Sequence, residues 1–212
     1  MNTERTNIGW GFWLAWVLAS IMGFGMGALI AMSVSYGLLP VLVPSVKEFD
    51  TTFFVVSGTV LGASGGFMQW LVLRERIPGS GLWVLASALG FAVAGVAAAG
   101  QATSTQNYLL AGLIFGALGG VAGGVMQWLV LMRAQVVRAG WWVLASIFGS
   151  LVSAISVPAA SAINAATDSY GLGAMVFGVL FGAGLGAIPG AALVWLLRQP
   201  QSSSVEGMAT AH

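Results

Sequence analysis

A chain of 212 residues that is 58% hydrophobic and only 6% charged, with a mean hydropathy of +0.93, has the composition of a polytopic membrane protein rather than of soluble domains. Its net charge of +1 offers no basic footprint for nucleic acid, and without cysteine it can form neither a disulfide framework nor a thiolate metal site. The sole histidine is His212 at the C-terminus, which leaves no imidazole in the membrane to ligate haem.

Arg5 precedes an apolar run from about Ile8, in the manner of a signal peptide. The run continues to about Ser33, longer than a typical signal core, and is expected to stay in the mature protein. Six segments are long enough to cross about 30 Å of hydrocarbon: 10–33, 52–73, 81–100, 108–132, 139–160 and 171–197. Pro158 is expected to end or bend the fifth, and Pro189 to kink the sixth unless neighbours accommodate it. Residues 200–212 read as a disordered cytoplasmic tail.

In this six-span arrangement Arg5, Arg74, Arg76, Arg133, Arg138 and Arg198 fall on one side and only Lys47 on the other. The positive-inside rule therefore places both termini in the cytoplasm. The opposite side carries Glu48, Asp50, Asp168 and the uncharged linker 101–107. The apolar linker 36–50, interrupted by Pro40 and Pro44, is too apolar to be fully solvated and reads as a lid or partner contact. Rapid cleavage there by an external protease would argue against burial.

Internal repetition is the second strong signal. Trp16-Val17-Leu18-Ala19-Ser20 recurs at Trp83 to Ser87 and at Trp142 to Ser146, each near the start of an odd-numbered span. On the even spans, Gly65-Gly66-Phe67-Met68-Gln69-Trp70-Leu71-Val72-Leu73 recurs as Gly123-Gly124-Val125-Met126-Gln127-Trp128-Leu129-Val130-Leu131. The sixth span keeps a degenerate copy, Leu193-Val194-Trp195-Leu196-Leu197-Arg198, with leucine in the glutamine's place. The expected fold is an all-α membrane protein of six transmembrane helices, built as three tandem two-helix hairpins at 9–76, 79–135 and 138–199 in a single membrane domain.

Glycines at four-residue spacing share one helix face and let backbones approach closely in a bilayer. The even spans carry Gly58, Gly62 and Gly66, then Gly112, Gly116, Gly120 and Gly124, then Gly178, Gly182, Gly186 and Gly190. Matching small-residue stripes on the odd spans are Ala19, Gly23 and Gly27, then Ala86, Gly90 and Ala94, then Ala145, Gly149 and Ser153. These faces are expected to pack within a bundle of approximate threefold pseudosymmetry.

The Trp-Val-Leu-Ala-Ser and Gln-Trp-Leu-Val-Leu-Arg repeats resemble those of a group of uncharacterised multi-pass proteins from cyanobacteria and related photosynthetic bacteria. The resemblance spans nearly the whole chain. It implies architecture and a bacterial inner or thylakoid-type membrane, and no activity.

Chemistry-bearing side chains are few. No ionisable residue lies in the middle of a span, so the usual marks of proton relays and ion-coupled transport are missing, and the serines have no base beside them. An enzyme is not expected, nor is a cofactor. Gln69 and Gln127 occupy equivalent stations; they either join helices by hydrogen bonds or face a shared cavity as ligand contacts. Ser20, Ser87 and Ser146 either bond to the carbonyl one turn back or ring a polar axis. Trp16, Trp70, Trp83, Trp128, Trp142 and Trp195 read mainly as an interfacial aromatic belt, with pigment or lipid binding as the sharper alternative. The arginines serve as orientation determinants and could attract anionic headgroups.

Three functions compete. The favoured one is a non-enzymatic membrane scaffold or accessory protein, with the lipid bilayer and another membrane protein complex as partners. A channel or facilitator for a small neutral or hydrophobic solute is the second. A pigment- or lipid-binding protein is the third.

Overall fold

The computed structural model describes residues 8–42, 46–105 and 107–199. Arg5 and the tail expected at 200–212 lie outside them, as does part of the 36–50 linker. The described residues form α1 (Trp10–Ser33), a π-helical turn (Val34–Leu38), α2 (Leu39–Leu42), α3 (Val46–Leu73), α4 (Leu82–Thr105), α5 (Tyr108–Arg133), α6 (Gly140–Ser153), α7 (Ser156–Thr167) and α8 (Tyr170–Leu197). Six helical stretches are long and apolar enough to cross a membrane: Trp10–Leu38, Thr51–Leu73, Leu82–Thr105, Tyr108–Arg133, Gly140–Thr167 and Tyr170–Leu197. The protein is all-α, with no strand among the described residues.

Helix ends follow local chemistry. Asn107 Oδ1 accepts from the Leu110 amide at 2.9 Å and caps α5, and Ser169 Oγ accepts from the Leu172 amide at 3.3 Å to cap α8. Asp168 closes α7 in the left-handed region (φ 52°), its amide returning to the Asn164 carbonyl at 2.9 Å. The fifth span does not end at its proline. Pro158 has no N–H for the Ala154 carbonyl, which instead accepts from the Val157 amide at 3.2 Å, so the break falls one turn earlier and the helix resumes to Thr167. Pro189 interrupts nothing: α8 runs through it, and its ring lies against Gly149, where a Cβ would come within 2.9 Å of the proline Cδ.

The spans pack as a closed ring in chain order. α1 lies between α3 and α8, α4 between α3 and α5, and α6 between α5 and α8, with α7 against α8 and α5. Leu14, Leu18, Met22, Leu85, Leu89, Val93, Leu144, Phe148 and Leu151 point outward, as lipid-facing positions should. At one end Arg198 Nε donates to the Ile8 carbonyl at 2.6 Å, Arg76 lies over the Phe12 ring at 5.4 Å and Arg138 over Trp195 at 5.9 Å. This is the arginine-bearing end of the bundle. Its two turns each need a left-handed residue four places before a tryptophan of the Trp-Val-Leu-Ala-Ser segments: Gly79 (φ 71°) and Arg138 (φ 60°). Glycine meets that demand without strain, whereas arginine does not.

Glycine positions set where backbones meet. A Cβ on Gly58 or Gly62 would strike the carbonyl oxygens of Phe91 or Ser87, and one on Gly66 would meet Ser87 Oγ at 2.6 Å, so this face of α3 lies on α4. Gly120 and Gly124 of α5 lie on Ser150 and Ser146 of α6. Gly178, Gly182, Gly186 and Gly190 of α8 lie on α1, with Cβ approaches of 2.5 Å to both the Phe24 and the Ser20 carbonyls from Gly178 and Gly182. Gly112 and Gly116 differ from the rest: their nearest neighbours are the Val157 side chain at 3.0 Å and the Phe181 ring at 3.6 Å. A second set joins each odd span to the helix that follows it, where Gly23 meets Gly65, Gly90 meets Gly123, and Gly149 meets Pro189.

Candidate functional site

The centre of the bundle is built on the three Trp-Val-Leu-Ala-Ser segments. Trp16, Trp83 and Trp142 are 0, 0 and 1% exposed and meet one another edge to face, with ring centroids 5.2 to 6.0 Å apart. The aromatic-belt expectation is therefore wrong for these three. All three rings pack inward against one another, and the indole N–H groups of Trp83 and Trp142 find buried acceptors. Trp70 and Trp128 are half-buried and Trp195 is exposed, so they lie outside this layer.

Each acceptor is a glutamine from a neighbouring span. Trp83 Nε1 donates to Gln69 Oε1 at 2.9 Å, and Gln69 Nε2 donates to Ser20 Oγ at 3.0 Å. Gln127 repeats the arrangement: Trp142 Nε1 donates to its Oε1 at 3.2 Å and its Nε2 donates to Ser87 Oγ at 2.8 Å. Ser20 and Ser87 in turn donate to the Trp16 and Trp83 carbonyls, at 2.9 and 2.8 Å. Each glutamine is thus an arm that ties a serine of one odd helix to a tryptophan of the next. Buried amides in a dry interior need such partners, because an unmade bond costs about 1–3 kcal/mol.

By that pattern a third arm should tie Ser146 to Trp16. The corresponding station in α8 is Leu193, fully buried. Ser146 Oγ and Trp16 Nε1 are among the buried side-chain atoms with no hydrogen-bond partner. Of the candidate polar contacts, then, Ser20, Ser87, Gln69 and Gln127 are joined in two chains of bonds, and Ser146 stands apart from both.

A second aromatic layer lies two turns along the odd helices. Phe24 and Phe91, each eight residues after a tryptophan of the repeat, meet Phe181 at centroid separations of 5.4 to 5.7 Å. In α6 that station is Ser150, and Phe181 of α8 supplies the third ring instead. Between the layers is a cavity of about 20 Å³ lined by Gln69, Gln127, Ser146, Phe24, Phe91 and Trp142, with glycines of α5 and Leu185 and Pro189 of α8. Two layers of mutually touching rings thus cross the centre of the bundle.

Beyond the phenylalanine layer, toward the end opposite the arginines, is a larger and mostly apolar cavity of about 250 Å³. Phe53, Phe54, Phe115 and Phe177 line it together with small residues, including Ala28, Ala31, Gly112, Ala160 and Ala174. Its polar groups are Ser57, whose hydroxyl shares a 2.8 Å bond with Ser35, Ser161, and Asn164, whose Oδ1 is buried without a partner. Sequence reasoning did not anticipate this space, because its walls come from five different helices. Among the described residues no group of three or more His, Cys, Asp or Glu side chains occurs. In comparisons with known proteins, no family model, no curated protein and no solved structure matches the chain.

Proposed function

We propose that the chain is a non-enzymatic integral membrane scaffold or accessory protein. In this reading it consists of three tandem two-helix hairpins packed through their glycine faces, in a bacterial inner or thylakoid-type membrane with both termini cytoplasmic. The observation that carries it is the use made of the axial polar groups. Gln69 and Gln127 spend hydrogen bonds at both ends of their amides on the bundle itself, between two aromatic layers. Groups used in this way fix helix positions, which supports a structural role over that of a conduit. Mild crosslinking in the native membrane is expected to capture another membrane protein complex, and recovery of an uncrosslinked monomer alone would overturn the accessory role. Flux of small neutral solutes such as glycerol through reconstituted liposomes should equal that of empty vesicles; clear flux would favour the facilitator instead.

The 250 Å³ cavity favours a second reading, binding of a small hydrophobic molecule. An apolar cavity of about 150 Å³ already holds benzene. Filling it with Ala174→Phe is expected to eliminate any small molecule that co-purifies with the wild-type chain, read by native mass spectrometry and absorption spectroscopy. A wild-type preparation that is colourless and free of bound molecules would remove this reading.

A further inference from the structure

We propose that the cavity between the two aromatic layers is a binding site for a single water molecule, which takes the place of the missing third glutamine arm at Ser146. Three observations converge on it. Ser146 is 3% exposed, lines the cavity and has an Oγ with no partner. The space, about 20 Å³, exceeds the 10–15 Å³ that one water needs and is too small for two. The remaining polar lining can complete the water's bonds: after their bonds to tryptophan and serine, Gln69 and Gln127 each retain one amide hydrogen and one carbonyl lone pair.

The chemistry of the lining selects the occupant. It is neutral, made of two carboxamides, one hydroxyl, aromatic rings, glycines, Leu185 and Pro189, so a metal cation would lose its hydration shell with no carboxylate to replace it. An organic molecule of even a few heavy atoms exceeds the volume. Water satisfies Ser146 as donor or acceptor and reaches two to three partners, the usual number for a buried water. Trp16 Nε1 is not relieved by it. That indole lies on the Gly190 side, where a Cβ would stand 3.3 Å from the nitrogen, and Trp16 is not among the residues lining the cavity. The water therefore replaces half of the absent arm and leaves the link from the last odd helix back to α1 unmade. Phe24 and Phe91 border it on one side and the Trp142 indole on the other.

The direct test is an experimental map of the intact chain, in detergent or a lipid nanodisc, at a resolution where other ordered waters are visible. One peak is expected about 2.7–3.2 Å from Ser146 Oγ and from a Gln69 or Gln127 amide atom. A cavity without density in such a map overturns the proposal. A solution measurement decides independently through its sign. If the cavity is wet, Ser146→Ala removes a partner from a bound water and lowers the thermal midpoint. If it is dry, the same change removes an unsatisfied hydroxyl and leaves the midpoint unchanged or raises it, which would sink the idea. Ser153→Ala, a buried serine on α6 bonded to the Gly149 and Phe181 carbonyls and outside this cavity, controls for the general effect of losing a hydroxyl.

Discussion

Gly62→Ala is expected to destabilise the monomer by about 1–3 kcal/mol, whereas Gly116→Ala, one methyl added at another glycine of the same four-residue pattern, should be neutral or stabilising by about 0.5 kcal/mol. The difference lies in what the new methyl meets. At Gly62 it runs into the Ser87 carbonyl oxygen and the Phe91 Cβ of α4, and a backbone carbonyl cannot move without shifting its helix. At Gly116 the nearest atom is the Phe181 ring at 3.6 Å, an ordinary contact, so the helical preference of alanine over glycine is what remains. Gly120→Leu is the extreme case, since its Cβ would overlap the Ser150 Cβ before the rest of the side chain is placed; loss of folded monomer is expected. Thermal unfolding of the detergent-solubilised variants, followed by size-exclusion profile, reads all three. Were Gly62→Ala and Gly120→Leu to leave a stable monomer and disturb only association, these faces would belong to a dimer interface.

The contrast between Gly62 and Gly116 also marks how far periodicity reaches. Small residues at four-residue spacing identify a face, and composition with hydropathy places the six spans within a few residues of their observed limits. The main differences are extensions: α3 starts at Val46, α4 continues to Thr105, and the fifth span continues past Pro158 to Thr167. Spacing does not say which stretch of a face touches backbone and which touches only a ring, because that depends on how neighbouring helices cross. Gly112 and Gly116 share the spacing of Gly120 and Gly124 without sharing their close approach.

The axial site was legible in parts. Repetition singled out Gln69, Gln127 and the three serines, and hydrogen-bonding needs in a dry interior made helix-joining bonds one of two readings. Trp83 and Trp142 were misread because an indole near a span's end satisfies the belt rule equally well, and only the packed structure shows the N–H pointing at a glutamine of the preceding span. The signal that was present is their spacing. A tryptophan four residues before a serine puts both on one helix face, the face on which the glutamine contacts the serine. Phe181 had no comparable signal, since it fills a place that the repeat assigns to α6.

Leu193→Gln should complete what the other two copies already have, and the reciprocal Gln127→Leu should take it away. In the second variant Trp142 Nε1 loses its acceptor while remaining buried, and Ser87 loses a donor but keeps its own bond to the Trp83 carbonyl. A cost of about 1–2 kcal/mol is expected, the upper range for interhelical bonds in membranes, because one of the freed groups is left unsatisfied. In the first variant a carboxamide enters at the fully buried station that corresponds to Gln69 and Gln127, where the repeat would pair it with Trp16 Nε1 and, in place of the proposed water, with Ser146 Oγ. Its Oε1 can accept from the indole and its Nε2 can donate to the serine, as in the other arms. The gain expected is about 1 kcal/mol, seen as a higher thermal midpoint, together with a displaced indole N–H resonance for Trp16 alone in a spectrum of 15N-labelled protein. The double variant, Gln127→Leu with Leu193→Gln, should return near wild-type stability, since it moves the broken arm from one seam of the ring to another and keeps their number. A lower midpoint for Leu193→Gln, with the Trp16 signal unmoved, would mean that the three seams are not geometrically equivalent and that leucine is required where it stands.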